Sequence, residues 1–378
     1  MAEVARTAGA AQVAGPGSRR ARRGAAALLS LALIALLLPS SGADLAADGL
    51  QAAFGAGLAP TPSPAHAARA SARRKGRVRS AATYTGPIIG TNDAAGWGPA
   101  AARTILQGNI TWNRVELGSP YNTLASSRSD GFKALAIVNN TNDETPLSAV
   151  NPSVWGAGVV SELEGNPGVS IAEAGNEAYL KGDVAEPVQY GRMYLAAVED
   201  MQAAGIHIPL LFNMTGDIPL SSWANPNGWS EDAKGGGWLR DAVNGVPGLA
   251  GAILANGISV HPYGAVGENS HDDWGTASVA ADEAVAKAVL GSVPPFYVTE
   301  IGFDLRSCGD PAGACSRREQ ASKLQAAYAA LLTDPHVAGI WWYQSHDDST
   351  GRWGFMDRDG SVRPSFKALS EIATTLGQ

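Results

Sequence analysis

Cysteine is scarce in this chain of 378 residues, which contains only Cys308 and Cys315. Six residues separate the two and no histidine lies beside them, so the spacing predicts a local disulfide of an exported protein, not a metal centre. The H-E-x-x-H, G-x-S-x-G and P-loop motifs are absent. These absences argue against the zinc-protease, serine-hydrolase and nucleotide-triphosphatase classes that the motifs define.

Charged residues make up only 17% of the chain, and they are unevenly distributed. Residues 1–79 hold 11 basic and 3 acidic side chains, whereas residues 80–378 have a net charge of −15 and all ten tryptophans. The acidic segment lacks the clustered lysine and arginine that bind phosphates, so we expect no nucleic-acid partner. Its apolar content excludes disorder, and its length suits one large core.

Long apolar runs are also few. Residues 25–38 form an apolar run of 14 residues that follows four arginines between positions 19 and 23. A membrane span needs ~20 residues, so the run predicts a signal peptide over residues 1–43 and secretion, with an uncleaved membrane anchor as the alternative. Residues 44–80, rich in alanine, proline and arginine, are predicted to be a disordered spacer before a folded domain over residues 81–378.

The folded domain alternates short apolar runs with helical stretches. Eight runs rich in isoleucine, valine and phenylalanine are typical of parallel strands buried on both faces. Repeated strand–helix units of this number favour an α/β fold with a single closed (β/α)8 barrel, and an open dinucleotide-binding sheet lacks its G-x-G-x-x-G motif here. The predicted strands span residues 86–90, 111–117, 132–138, 169–174, 208–213, 257–260, 295–299 and 339–343.

Polar and aromatic side chains follow the carboxyl ends of these runs, where barrel chemistry takes place. The set combines carboxylates, amides, aromatic rings and one arginine, which fits sugar chemistry and offers no ligand cluster for a metal or organic cofactor. Its members include Arg114, Glu116, Asn139, Asn140, Asn176, Glu177, Asn213, His261, Tyr263, Glu300, Trp341 and Trp342.

Two of these strand ends resemble the signature of glycoside hydrolase clan A, of the family 5 or family 39 type. The matching segments are Gly175-Asn176-Glu177 after the fourth run and Val298-Thr299-Glu300 at the end of the seventh. The resemblance spans residues 85–376, and residues 353–366 are similar to the closing segment of that clan. It implies a retaining enzyme that cleaves β-glycosidic bonds, with Glu177 as acid/base and Glu300 as nucleophile.

Further residues are assigned through the same resemblance. His261-Pro262-Tyr263 resembles the motif on strand six, whose tyrosine binds the nucleophile, and Trp342 lies in the aromatic segment that supplies a sugar platform. The resemblance implies that Asn176 binds a sugar 2-hydroxyl and that Arg114 and Tyr263 orient Glu300. His261 is open between a structural hydrogen bond and substrate contact, and Asn139 between a turn cap and sugar binding.

Two expectations concern charge. Glu173 lies four residues before Glu177, so on a strand both side chains should point into the barrel. We therefore expect Glu173 to be buried and paired with Arg114 or another donor. The acid role of Glu177 requires a raised pKa, which we expect from burial and from the charge of Glu300.

Other functions remain open on the sequence alone. A non-catalytic barrel that binds polysaccharide is one alternative, and a transglycosylase that remodels an envelope or matrix glycan is another. In each case the expected partner is a carbohydrate, with no cofactor and a monomeric chain.

Overall fold

The computed structural model describes residues 86–93, 97–117, 124–140, 146–180, 186–214, 237–262, 276–306, 315–347 and 351–378. The predicted signal peptide and spacer lie outside this part of the chain, as do Tyr263 and Cys308. Cys315 is half-buried just before a helix, and its pairing with Cys308 stays a prediction. Over the described ranges, no helix is both long and apolar enough to cross a membrane.

Eight parallel strands form a closed barrel in chain order, and β8 pairs with β1 to complete it. This confirms the predicted (β/α)8 barrel, and each predicted run overlaps one strand. The strands are β1 Ile88–Asn92, β2 Trp112–Glu116, β3 Lys133–Val138, β4 Val169–Ala174, β5 Leu210–Asn213, β6 Ile258–Val260, β7 Phe296–Ile301 and β8 Val337–Trp342.

Nine α-helices within the described ranges surround the strands. Local signals fix several of their ends: Asn151 caps α3 through its side chain, and Ser316 with Glu319 forms a capping box at α8. The helices are α1 Pro99–Gln107, α2 Leu124–Asp130, α3 Pro152–Gly165, α4 Glu186–Ala203, α5 Trp238–Gly245, α6 Leu249–Asn256, α7 Thr276–Leu290, α8 Arg317–Leu331 and α9 Pro364–Thr375.

A compact apolar cluster fills the barrel beneath its carboxyl-terminal mouth. One residue of every strand except β6 contributes: Ile88, Trp112, Leu135, Ile171, Leu211, Tyr297 and Trp341.

Side chains two residues further along a strand point to the same side, so the next layer is set by the same alternation. That layer is polar, because Trp112 is followed by Arg114, Ile171 by Glu173, and Leu211 by Asn213. The apolar floor therefore supports a buried polar layer directly below the mouth.

Gly90 is required by this floor. A Cβ atom at Gly90 would lie 2.3 Å from Nε1 of Trp341. We therefore expect Gly90→Ala to lower the free energy of unfolding by about 1–3 kcal/mol, measured by urea denaturation. Gly251→Ala is the matched control, since a Cβ there meets nothing within 4 Å and a helical alanine is favourable. Wild-type stability in Gly90→Ala would contradict this account of the floor.

Candidate active site

Arg114 is the hub of the polar layer. Its Nε donates to Oε2 of Glu173 at 2.6 Å, and its Nη1 donates to Oε1 of Glu300 at 2.5 Å. The same guanidinium donates to Oδ1 of Asn92 at 3.0 Å and to Oδ1 of Asn176 at 2.8 Å. Burial opposes the charge of Arg114, but the carboxylates of Glu173 and Glu300 outweigh it and raise the pKa of Arg114 above its ordinary value.

Glu173 is fully buried, and all its contacts compensate its charge. Besides Arg114, its Oε1 accepts hydrogen bonds from Nδ2 of Asn213 at 3.0 Å and Oγ1 of Thr299 at 3.1 Å. Burial alone would raise the pKa of Glu173, but the charge of Arg114 and the hydrogen bond from His261 lower it to about 2. The expected pairing of Glu173 with Arg114 is confirmed.

Glu177 and Glu300 converge at the mouth. Glu300 is the penultimate residue of β7 and is buried, whereas the side chain of Glu177 is 26% exposed. Glu177 follows β4 in a left-handed conformation with φ of +47°, which few non-glycine residues adopt outside functional sites. This turn directs its carboxylate towards Glu300, and an oxygen of each lies within 4.8 Å of the other.

His261 lies between these carboxylates. Its Nδ1 is 3.0 Å from Oε1 of Glu177 and 3.8 Å from Oε2 of Glu300, and its Nε2 is 3.0 Å from Oγ1 of Thr299. Burial would lower the pKa of His261, but the charge of Glu300 and the hydrogen bonds to Glu173 and Glu177 raise it to about 10. His261 is thus an imidazolium at neutral pH. Of the two roles that the sequence left open for His261, the structure shows the hydrogen bonds within the barrel mouth.

No protein-family model matches the sequence, and no curated protein matches it. Solved structures do. The GH5_18 protein from Streptomyces cattleya in complex with GlcNAc is 15% identical, with a TM-score of 0.51 over 78% of this chain and 81% of that one. A family 39 glycoside hydrolase from Bacteroides cellulosilyticus WH2 is 18% identical, with a TM-score of 0.52 over 77% of this chain and 64% of that one.

The chain has the same (β/α)8 barrel fold as these two proteins. At these identities the likeness establishes the fold alone, so the chemistry has to be argued from the residues of this barrel.

The pKa of Glu177 differs from the raised value predicted from the sequence. Burial does raise its pKa, but the hydrogen bond from His261 and the charges of His261 and Arg114 outweigh burial, so the pKa of Glu177 is lowered. The expectation was wrong because it left out a cation at 3.0 Å. The lowered pKa keeps Glu177 a carboxylate at neutral pH, and the proton of the pair resides on His261.

This charge arrangement makes stability depend on pH. The folded pKa of His261 is raised, so its contribution is fully present below its ordinary pKa of 6.5 and is lost as the pH rises through about 10. We expect the stability advantage of wild type over His261→Gln to shrink steadily between these values, as measured by thermal unfolding. An advantage that is constant across this window would contradict a charged His261.

Asn139 faces α3 and not the mouth, so of the two roles left open for it, a turn cap or sugar binding, the structure contradicts sugar binding. It adopts a left-handed φ of +44°, and its Nδ2 donates to the carbonyl of Trp155 on α3 at 2.8 Å. Asn140, and not Asn139, faces the barrel mouth. Its Nδ2 donates to Oε1 of Glu116 at 2.7 Å, and its Oδ1 accepts from the backbone N–H of Asn176 at 3.0 Å.

The predicted sugar platform at Trp342 is also contradicted. Trp342 is fully buried among the residues that pack between the sheet and the helices, and its Nε1 donates to the carbonyl of Trp353 at 3.2 Å. Trp341 has the inward parity, because it pairs with Gly90 and belongs to the floor cluster. The half-buried aromatic residue at this strand end is Tyr343, which packs edge-on against Trp353.

Two groups of side chains in the described ranges bring three metal-binding atoms within 4.8 Å of one another. One is Glu177 with His261 and Glu300, the group at the barrel mouth. The other, Glu283 with Asp334 and His336, lies at the amino-terminal end of β8, away from the mouth. Nδ1 of His336 is 3.5 Å from an oxygen of each carboxylate, which is an ion-pair geometry.

Proposed function

We propose that this chain is a retaining glycoside hydrolase of the clan A type that cleaves β-glycosidic bonds in a polysaccharide or oligosaccharide. One carboxylate oxygen of Glu177 lies within 4.8 Å of one of Glu300 at the barrel mouth, and this closeness carries the proposal. Retaining enzymes hold their carboxyl groups ~5 Å apart, whereas inverting enzymes leave more room for a water molecule. The fold shared with glycoside hydrolases supports it.

The first step is attack by Glu300. Arg114 holds Oε1 of this carboxylate and fixes its orientation, which leaves Oε2 for the anomeric carbon. A bond forms between Oε2 and that carbon as the bond from the carbon to the leaving oxygen breaks. Glu177 gives its proton to the leaving oxygen, so the aglycone departs as an alcohol and a glycosyl-enzyme remains.

The proton on Glu177 comes from His261. The two groups share a hydrogen bond of 3.0 Å, and together they carry one proton over the neutral range. A bound sugar desolvates the carboxylate of Glu177 further and favours transfer of that proton to it. In the second step Glu177 deprotonates a water molecule, the water attacks the anomeric carbon, and Glu300 leaves.

Asn176 is placed to bind the sugar 2-hydroxyl. Its Oδ1 accepts from Arg114 and its backbone N–H donates to Asn140, so its orientation is fixed from both sides. Its amide N–H groups then serve as donors to a hydroxyl, a contact that strengthens in the transition state. Tyr263 lies outside the described residues, and its role beside Glu300 stays part of the proposal.

Hydrolysis, transfer and binding alone are separated by product analysis on β-glucans, mannan, xylan, galactan and their oligosaccharides. We expect reducing sugar to be released from at least one of them. Larger products in the presence of an acceptor sugar would indicate a transglycosylase. Binding with no product across the whole panel would contradict a catalytic role.

The same proposal includes export through residues 1–43, with 44–80 as a spacer to the catalytic domain.

A further inference from the structure

One aromatic ring stands exposed at the rim of the barrel mouth. Trp97 lies between β1 and α1 and is 40% exposed. Exposed large apolar side chains in the described ranges are otherwise only Val154 and Val362. An exposed tryptophan is the least common of these, because its large apolar area gains most from burial.

The ring of Trp97 is held on a rigid base. It stacks on the ring of His346 with centroids 4.4 Å apart and an angle of 16° between the planes. His346 is buried, its Nδ1 lies 3.1 Å from Oγ of Ser345, and it forms a β-bridge with Met356. Burial and the charge of Arg363 lower the pKa of His346 to about 4, so two neutral rings are stacked at neutral pH.

This base adjoins the catalytic centre. The backbone N–H of Ser345 donates to the carbonyl of Asn92 at 3.1 Å, and Oδ1 of Asn92 accepts from Arg114. Arg114 in turn holds Glu300. Ser345 and Asn92 thus connect the stacked rings of Trp97 and His346 to Arg114, which binds the proposed nucleophile. These residues lie at the carboxyl-terminal mouth of the barrel.

We propose that Trp97 is a sugar-binding platform that stacks on the apolar face of a pyranose ring, in a subsite beyond the two that flank the cleaved bond. The inference rests on the proposed function and narrows its substrate class to chains of several pyranose units. Stacking on a preformed ring costs little conformational entropy, because His346 already fixes the orientation of Trp97. The exposed part of the ring is the part available to substrate.

The kinetic test compares a short and a long substrate. The probes are the β-1,4-glucose, β-1,3-glucose, β-1,4-mannose and β-1,4-xylose hexaoses and the p-nitrophenyl β-glycosides of the same sugars. Trp97→Ala should raise KM for the hydrolysed hexaose by about tenfold and change kcat/KM for the aryl glycoside less than about twofold. Trp97→Phe retains a stacking face and should stay within about threefold of wild type on both. Val154→Ala, a matched exposed apolar residue, should change neither.

A binding measurement keeps this inference separate from the proposed function. Calorimetric titration of the four hexaoses into full-length Glu300→Gln and into Glu300→Gln with Trp97→Ala measures affinity without turnover. A loss of about tenfold in the double variant supports the platform, even if wild type hydrolyses none of the panel. Equal affinities in the two variants, or no hexaose binding to either, would overturn it.

Discussion

Glu300→Gly is expected to lower kcat by at least ~10³-fold, and added azide is expected to restore turnover with an inverted product. The reason is geometric. Removing the side chain leaves space below the anomeric carbon, where a small anion replaces the carboxylate held by Arg114. Azide attacks once and is not displaced, so a single inversion replaces two. The measurement is the rate and the configuration of the glycosyl azide formed from an aryl glycoside.

The matched control is Glu177→Gly. Azide there takes the place of the water that attacks the glycosyl-enzyme, so the glycosyl azide should keep the configuration of the substrate. Opposite stereochemistry in the two variants assigns the nucleophile and the acid/base separately. Failure of azide to rescue Glu300→Gly, with rescue and inversion in Glu177→Gly, would reverse the two roles.

Glu173→Ala is expected to have the largest effect on stability. The change leaves the buried guanidinium of Arg114 without its contact at 2.6 Å and removes the acceptor for Asn213 and Thr299. Breaking a buried ion pair by removing one partner costs about 3–5 kcal/mol, because the remaining charge stays desolvated. Chemical denaturation of the purified chain measures this loss as a fall in the free energy of unfolding.

A surface ion pair provides the control for Glu173. Lys367 and Glu371 on α9 are 3.8 Å apart and largely exposed, with 81% and 59% of their side chains accessible. Glu371→Ala should change the free energy of unfolding by less than ~1 kcal/mol, since water screens the pair. Similar losses in Glu173→Ala and Glu371→Ala would contradict the central position of Glu173 in the polar layer.

The barrel could be predicted because parallel strands buried on both faces are recorded in the sequence as apolar runs. Eight such runs fixed the number of strands, and the strand ends converge at one mouth whatever the loops do. The convergence of strand ends places Glu177 near Glu300, although the two residues are 123 positions apart in the chain. The barrel brings the two strand ends together, and the left-handed turn at Glu177 completes the approach of the carboxylates.

Orientation at the strand ends could not be predicted in the same way. The left-handed φ of Asn139 turns its side chain towards α3, so Asn140 faces the mouth instead. The pairing of β7 with β8 contains register shifts, and at these shifts the strict alternation of side chains between the two faces of the sheet fails. Trp342 therefore faces the helices and not the barrel interior. These reversals arise from the backbone at single residues, which periodicity does not record.

The lowered pKa of Glu177 could not be predicted from the sequence for a related reason. Burial raises the pKa of a carboxyl group, and a nearby cation lowers it, so the sign depends on distances of ~3–4 Å between groups from different strands. His261 lies 84 positions from Glu177 in sequence and 3.0 Å from it in space. The exposed ring of Trp97 shows the same limit, since only the fold reveals its stack on His346.

The configuration of the first sugar released decides whether Glu177 and Glu300 act as a retaining pair. Following the anomeric proton by NMR during hydrolysis of a β-glycan detects this product before it mutarotates. Carboxylate oxygens within 4.8 Å of each other predict that the β-anomer appears first and the α-anomer only later. Initial appearance of the α-anomer would contradict the double displacement and the roles assigned to both residues.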